Sequence, residues 1–201
     1  MFELLTGTGL AASAGLNAYV PLLTVGLLAR YTDLLDLPAG WQWLGDGWVI
    51  AILAVLLAVE VVADKVPVVD HFNDVVQTVV RPTAGGLAFG AGAGAETVTV
   101  DDPGGFFSSP GWAPVVVGVL IALGVHLVKA AARPVVNATT AGVGAPVAST
   151  AEDAASVVMS VVAILLPVLV LVFLAGLALF VGWVVRRRTE RRRARRPVGH
   201  R

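Results

Sequence analysis

The chain has 201 residues, 57% of them hydrophobic and only 14% charged, with a mean hydropathy of +0.83. A soluble domain is about a quarter charged, so this composition excludes an ordinary water-facing surface and reads as an all-α integral membrane protein. The absence of cysteine excludes disulfides, thiolate metal sites and a cysteine nucleophile.

The zero formal net charge hides a split. From Arg186 onward there are nine arginines against Glu190, whereas the preceding body has five basic residues (Arg30, Lys65, Arg81, Lys129, Arg133) against thirteen acids. A basic tail on an acidic body signals membrane orientation and not nucleic-acid binding.

In chain order, the opening MFELLTGTGLAASAGL contains an Ala-Ser-Ala but no basic residues before its apolar stretch, so it reads as part of a first span over about 8–30 and not as a signal peptide. Asn17 and Tyr19 interrupt this span, and Pro21 is expected to kink it. A second span covers 47–64. The stretch AVEVVADKVPVVDHFNDVVQTVVRP then brings Glu60, Asp64, Lys65, Asp70, His71, Asp74 and Arg81 to the end of an apolar run. Within it, Asp70, Asn73, Asp74, Gln77 and Arg81 form one helical stripe opposite Phe72 and four valines, which predicts an amphipathic helix over 70–81 along the membrane surface.

Further spans are expected over 112–131 and 154–185, the latter long enough to kink at Pro167. Two Gly/Ala/Thr-rich segments, 82–99 and 134–150, suit a bilayer only where neighbouring helices bury them, and each is also open to being broken or re-entrant. If both cross, six spans place both termini with Lys65, Arg81, Lys129 and Arg133 in the cytoplasm and the acids of 33–46, 96–102 and 152–153 outside.

The expected organisation is one membrane domain, 1–185, and a disordered cytoplasmic tail, 186–201. Within the domain, GW…ADKVPVVD and GW…AARPVVN mark candidate parallel repeats, 47–99 and 111–150.

A carboxylate inside an apolar span costs roughly 2.5–3.5 kcal/mol at mid-membrane on insertion scales, which makes Glu60 a candidate functional residue. Asp64 shares its helical face. Asp70, Asp74, His126, Asn17 and Tyr19 complete the candidate polar pathway, with Lys65, Arg81, Lys129 and Arg133 as counter-charges. Each has a structural reading beside the functional one: Asp70 and Asn137 as helix N-caps, Lys65 as an interface anchor, His126 as a helix–helix hydrogen-bonding group. Ser149-x-x-Glu152 and Thr150-x-x-Asp153 read as capping boxes before the last span. Asp64, Asp70, His71 and Asp74 are the residues a divalent metal would use, but their spacing matches no metal motif, and no metal or cofactor is expected.

GLAASAGLNAYVPLL, ADKVPVVDHFNDVVQTVVRPTAGGL, HLVKAAARPVVNATTAG and STAEDAASV resemble the bacterial membrane protein family known as domain of unknown function 4126. The resemblance covers about 5–175, is most specific at Asn17-Ala-Tyr19, Asp64-Lys65-x-Pro67-x-x-Asp70 and Arg81-Pro82, and implies a small multi-span protein of the bacterial cytoplasmic membrane with no assigned substrate.

Two functions fit these residues. One is a transporter or channel-like protein for a cation or a proton-coupled small solute. The other is a membrane scaffold or lipid-interacting protein whose charges are structural. No nucleophile–base pair points to an enzyme. Expected partners are the lipid bilayer, anionic headgroups at the arginine tail and further copies of the chain, with no nucleic acid.

Overall fold

The computed structural model describes residues 1–65, 67–97, 111–140 and 144–194, excluding side chains at 67–72, 74, 134–139, 145 and several positions beyond 176. Among the described residues there are seven α-helices: α1 Phe2–Leu16, α2 Tyr19–Tyr31, α3 Gly47–Ala63, α4 Pro67–Gly94, α5 Trp112–Thr140, α6 Gly144–Leu165 and α7 Leu169–Ala194. A two-residue antiparallel ladder pairs β1, Leu35–Asp36, with β2, Glu96–Thr97. The all-helical expectation holds. Two stretches, Trp112–Arg133 and Pro146–Leu165, are long and apolar enough to cross a membrane, while Tyr19–Tyr31 and Gly47–Ala63 are apolar but shorter.

The first expected span is in fact two helices. Asn17 is extended (φ −144°, ψ 123°) and ends α1. Its side-chain oxygen accepts from the backbone N–H groups of Tyr19 and Val20, capping α2. The break therefore falls at Asn17–Ala18 and not at Pro21, which sits in the first turn of α2, where a missing N–H costs nothing.

Helix directions follow from the contacts. Gly7 of α1 lies against Ala93 near the β-ladder, whereas Leu16 accepts a hydrogen bond from Lys129 at the opposite end. Asn17 bonds Asp153 at that second end, and Arg30 returns the chain to Gly45. Gly47 opens α3 beside Arg30, and Asp64 closes it among Lys129, Arg133 and Ser149. Then α4 climbs back to the ladder, α5 descends and α6 returns, with Ser149 bonded to Asp64 and Ala163 beside Gly9. Thus α1–α6 alternate between a ladder end and a charged end. The N-terminus lies at the ladder end with Asp36 and Glu96, away from the basic residues it was expected to accompany.

Other segments also differ from expectation. Residues 70–81 are not a separate surface helix but the first part of α4, continuous through Pro82 into the Gly/Ala-rich 82–94. The stripe is present with its exposure inverted: Gln77 and Arg81 are buried, while Val75, Val76 and Val79 face outward, Val79 at 70% exposure. Segment 134–150 forms no span of its own, because α5 runs to Thr140 and α6 starts at Gly144. Pro134 therefore lies inside α5 whereas Pro67 opens α4, so the two candidate repeats share helix direction but not their break. Asp70 and Asn137 lie within helices, and both capping-box patterns fall inside α6. The expected bend at Pro167 is present, as a turn between α6 and α7.

The core is built on close backbone approach. The second half of α4 is almost wholly buried, from Ala84 to Ala95. A Cβ on Gly118 of α5 would lie 2.5 Å from Phe89 Cβ and collide with the Gly85 carbonyl, and one on Gly15 would lie 2.6 Å from Val125 Cβ. Small residues at crossings let helices approach closely without hydrophobic drive. Between α1 and α6, Ser13 Oγ bonds Ser156 Oγ and Ser160 Oγ at 2.7 Å each, all three buried.

The exterior is apolar: Trp48, Ile52, Val55, Val59 and Val62 on α3 and Trp112, Val116, Val117, Leu120 and Leu127 on α5 are exposed. An apolar exterior around a core that also buries Glu60, Asp64, Arg81 and Lys129 departs from a soluble domain and suits a lipid surround. Residues 171–201 form a second unit, in which α7 continues into the arginine run to Ala194, past the boundary expected at 185.

Candidate functional site

The site grows from α3, a helix that buries only Leu53 and Glu60. Glu60 and Asp64, one turn apart, point into the bundle, and α4, α5 and α6 bring the charges that meet them. Arg81 is wholly buried at the middle of α4, 14 residues after Pro67 and 13 before Gly94. Its Nη2 donates to Glu60 Oε1 at 2.8 Å and lies 3.6 Å from Asp64 Oδ2. Its Nη1 faces the Gly15 carbonyl at 3.5 Å and His126 Nδ1 at 3.4 Å. A guanidinium only donates, so Nδ1 accepts; the proton is thereby assigned to Nε2, 3.2 Å from Thr78 Oγ1.

Asp64 Oδ2 is ringed by three cations: Arg133 Nη2 at 3.3 Å, Arg81 Nη2 at 3.6 Å and Lys129 Nζ at 3.6 Å. Its Oδ1 accepts from Asn73 at 2.7 Å. Lys129 reaches Glu152 Oε2 at 2.8 Å, which Arg133 approaches at 3.6 Å. Lys65 meets Asp153 at 3.8 Å, and Asp153 accepts from Asn17 at 2.9 Å.

The charges balance. Glu60 and Asp64 face Arg81 and Lys129 in the buried layer, and Glu152 and Asp153 face Arg133 and Lys65 towards the rim: four acids against four bases. Buried charges persist only when paired, and this neutrality lets the cluster sit inside the bundle. Three deeper polar atoms have no hydrogen-bond partner: Glu60 Oε2, Gln77 Oε1 and Arg81 Nε. Tyr19 on α2 stands beside Gln77, Glu60 and Arg81.

Of the residues singled out in the sequence, the structure brings Glu60, Asp64, His126, Asn17, Tyr19, Lys65, Arg81, Lys129 and Arg133 to one region. The side chains of Asp70, His71 and Asp74 lie outside the described residues. Glu152 and Asp153, expected in an exterior loop, belong to the cluster. Sequence reasoning also left out Asn73, Gln77, Thr78 and Ser149, although the first two share the helical stripe of Arg81. Among the described residues no group of three or more histidines and acids could hold a metal, and Asp64, ringed by cations, is a poor ligand for one.

The fold is all-helical, with two helices long and apolar enough to cross a membrane, an apolar exterior and a neutral charge cluster inside. A family model described as domain of unknown function (DUF4126) matches residues 4–187, and the chain belongs to that family. No curated protein and no solved structure gives a match.

Proposed function

We propose that this protein is a small membrane transporter or channel-like protein in which the buried cluster is a polar route for a cation or a proton-coupled small solute. The supporting observation is its depth. Ion-paired groups run from the partly exposed Arg133 and Glu152 through Lys129 and Asp64 to Glu60 and Arg81 at mid-bundle, ending at three polar atoms without partners. Unpartnered polar atoms in a buried site are where water or a ligand is accommodated.

In this reading the chain spans the bacterial cytoplasmic membrane. Lys65, Lys129, Arg133 and the arginine tail face the cytoplasm, and Asp33, Asp36, Asp46 and Glu96 face outward. With α1–α6 alternating in direction, this reading has the N-terminus outside, where six crossings would have it in the cytoplasm. Copies of the chain assemble through their apolar faces, and the tail arginines hold anionic headgroups.

A scaffold reading has its own support in the saturation of Asp64 by three cations and Asn73. Flux of protons and of monovalent and divalent cations into proteoliposomes decides between them. Transport predicts flux in the wild type that Glu60→Gln reduces at least tenfold. A correctly folded wild type with no flux of any tested ion selects the scaffold.

A further inference from the structure

Arg81 Nη2 is shared unequally by two carboxylates, Glu60 Oε1 at 2.8 Å and Asp64 Oδ2 at 3.6 Å. The two acids differ sharply in surroundings. Asp64 has three cations within 4 Å and an amide on its other oxygen. Glu60 has one cation within 4 Å among the described residues, and its Oε2 has no hydrogen-bond partner although the residue is 98% buried. Gln77 Oε1, on the face of α4 that carries Arg81, is likewise an acceptor without a donor. The region therefore holds two spare acceptor oxygens around one guanidinium, and a proton would turn one of them into a donor.

We infer that Glu60 is a reversible proton-binding site, and that its protonation passes the Arg81 guanidinium from Glu60 to Asp64. The proton comes from water at the charged end and resides on Glu60 Oε2. The cluster gains one positive charge, centred on Asp64 and its three cations. The groups facing Glu60 are Tyr19 on α2, Asp64 on its own helix, Gln77 and Arg81 on α4, and His126 and Lys129 on α5. His126 Nδ1 already faces the Arg81 guanidinium, where a second cation would be repelled. Since α3 buries only Leu53 and Glu60, release of Arg81 also weakens the attachment of α3 to the bundle.

As a coupling device this rests on the transport reading, whereas proton binding itself is measured without flux. The full-length protein in lipid nanodiscs is titrated by infrared difference spectroscopy, following the carbonyl stretch of a protonated carboxylic acid. The wild type gains such a band on acidification, Glu60→Gln loses it, and Asp64→Asn keeps it. A band unchanged in Glu60→Gln, or lost only in Asp64→Asn, overturns the inference. If Glu60→Gln does not fold, Glu60→Asp takes its place: a displaced midpoint supports the assignment, and an unchanged titration overturns it. A Glu60 band in a protein without ion flux supports the proton site while removing the transport reading.

Discussion

Glu60 and Arg81 meet at 2.8 Å with side chains 1% and 0% exposed, the carboxylate from α3 and the guanidinium from the centre of α4. Such a pair is no proof of high stability, since desolvating two ions offsets much of their attraction. Removing one partner has a definite consequence, because the other is left charged and buried.

Arg81→Met therefore strands Glu60, while Asp64 keeps Arg133 and Lys129, and should cost about 3–5 kcal/mol. Arg81→Lys should recover only part of this, because one ammonium cannot reproduce contacts to two carboxylates, the Gly15 carbonyl and His126. Thermal unfolding in detergent, followed by circular dichroism, measures both.

The α4–α5 crossing predicts a contrast between two glycines of one helix. Gly118→Val drives a side chain into Phe89 and the Gly85 carbonyl, and overpacking of this kind costs about 1–3 kcal/mol or more. Gly124→Ala meets nothing within 4 Å and should be neutral or slightly stabilising, by at most about 1 kcal/mol through helix propensity. The same unfolding assay separates them.

Asn17 predicts a second contrast. Asn17→Ala removes the cap on Tyr19 and Val20 and the bond to Asp153, for a loss of about 1–2 kcal/mol. Asn17→Asp keeps a capping oxygen but sets a carboxylate against Asp153. It should be destabilised at neutral pH and regain stability on acidification as one of the facing carboxyls is protonated, which a pH series of melting curves reads directly.

The site was more legible in the sequence than the path of the chain. Glu60 stood out because a carboxylate within an apolar run needs a partner, and Arg81 because it ended a polar stripe. From sequence alone that stripe belongs on the surface, because amphipathic helices usually turn polar residues to water. Here the exterior of the bundle is apolar, and the same 3.6-residue period points Gln77 and Arg81 inward and Val75, Val76 and Val79 outward. The reversal at Asn17 was missed because Pro21 is the stronger helix breaker in isolation, yet a proline in a first turn is harmless and an asparagine that caps the next helix is decisive. If 134–150 crosses, Glu152 and Asp153 are exterior loop acids. With α5 continuing to Thr140, they arrive instead beside Lys129, Arg133 and Lys65.

Helix alternation makes a topological prediction that the cysteine-free sequence is suited to test. Single cysteines at Phe2 and Glu96, both exposed, should react with a membrane-impermeant maleimide added to intact cells. One at Thr140, exposed at the opposite end, should react only after lysis. Phe2 behaving like Thr140 would restore the even number of crossings.

The most direct test of the buried network is a double-mutant cycle between Glu60→Gln and Arg81→Gln, read as unfolding free energies in one detergent. Contact between fully buried partners predicts that the double mutant is more stable than the sum of the single losses implies, by about 2–3 kcal/mol. Losses that add to within about 0.5 kcal/mol would mean that the two side chains do not interact, and would contradict the account.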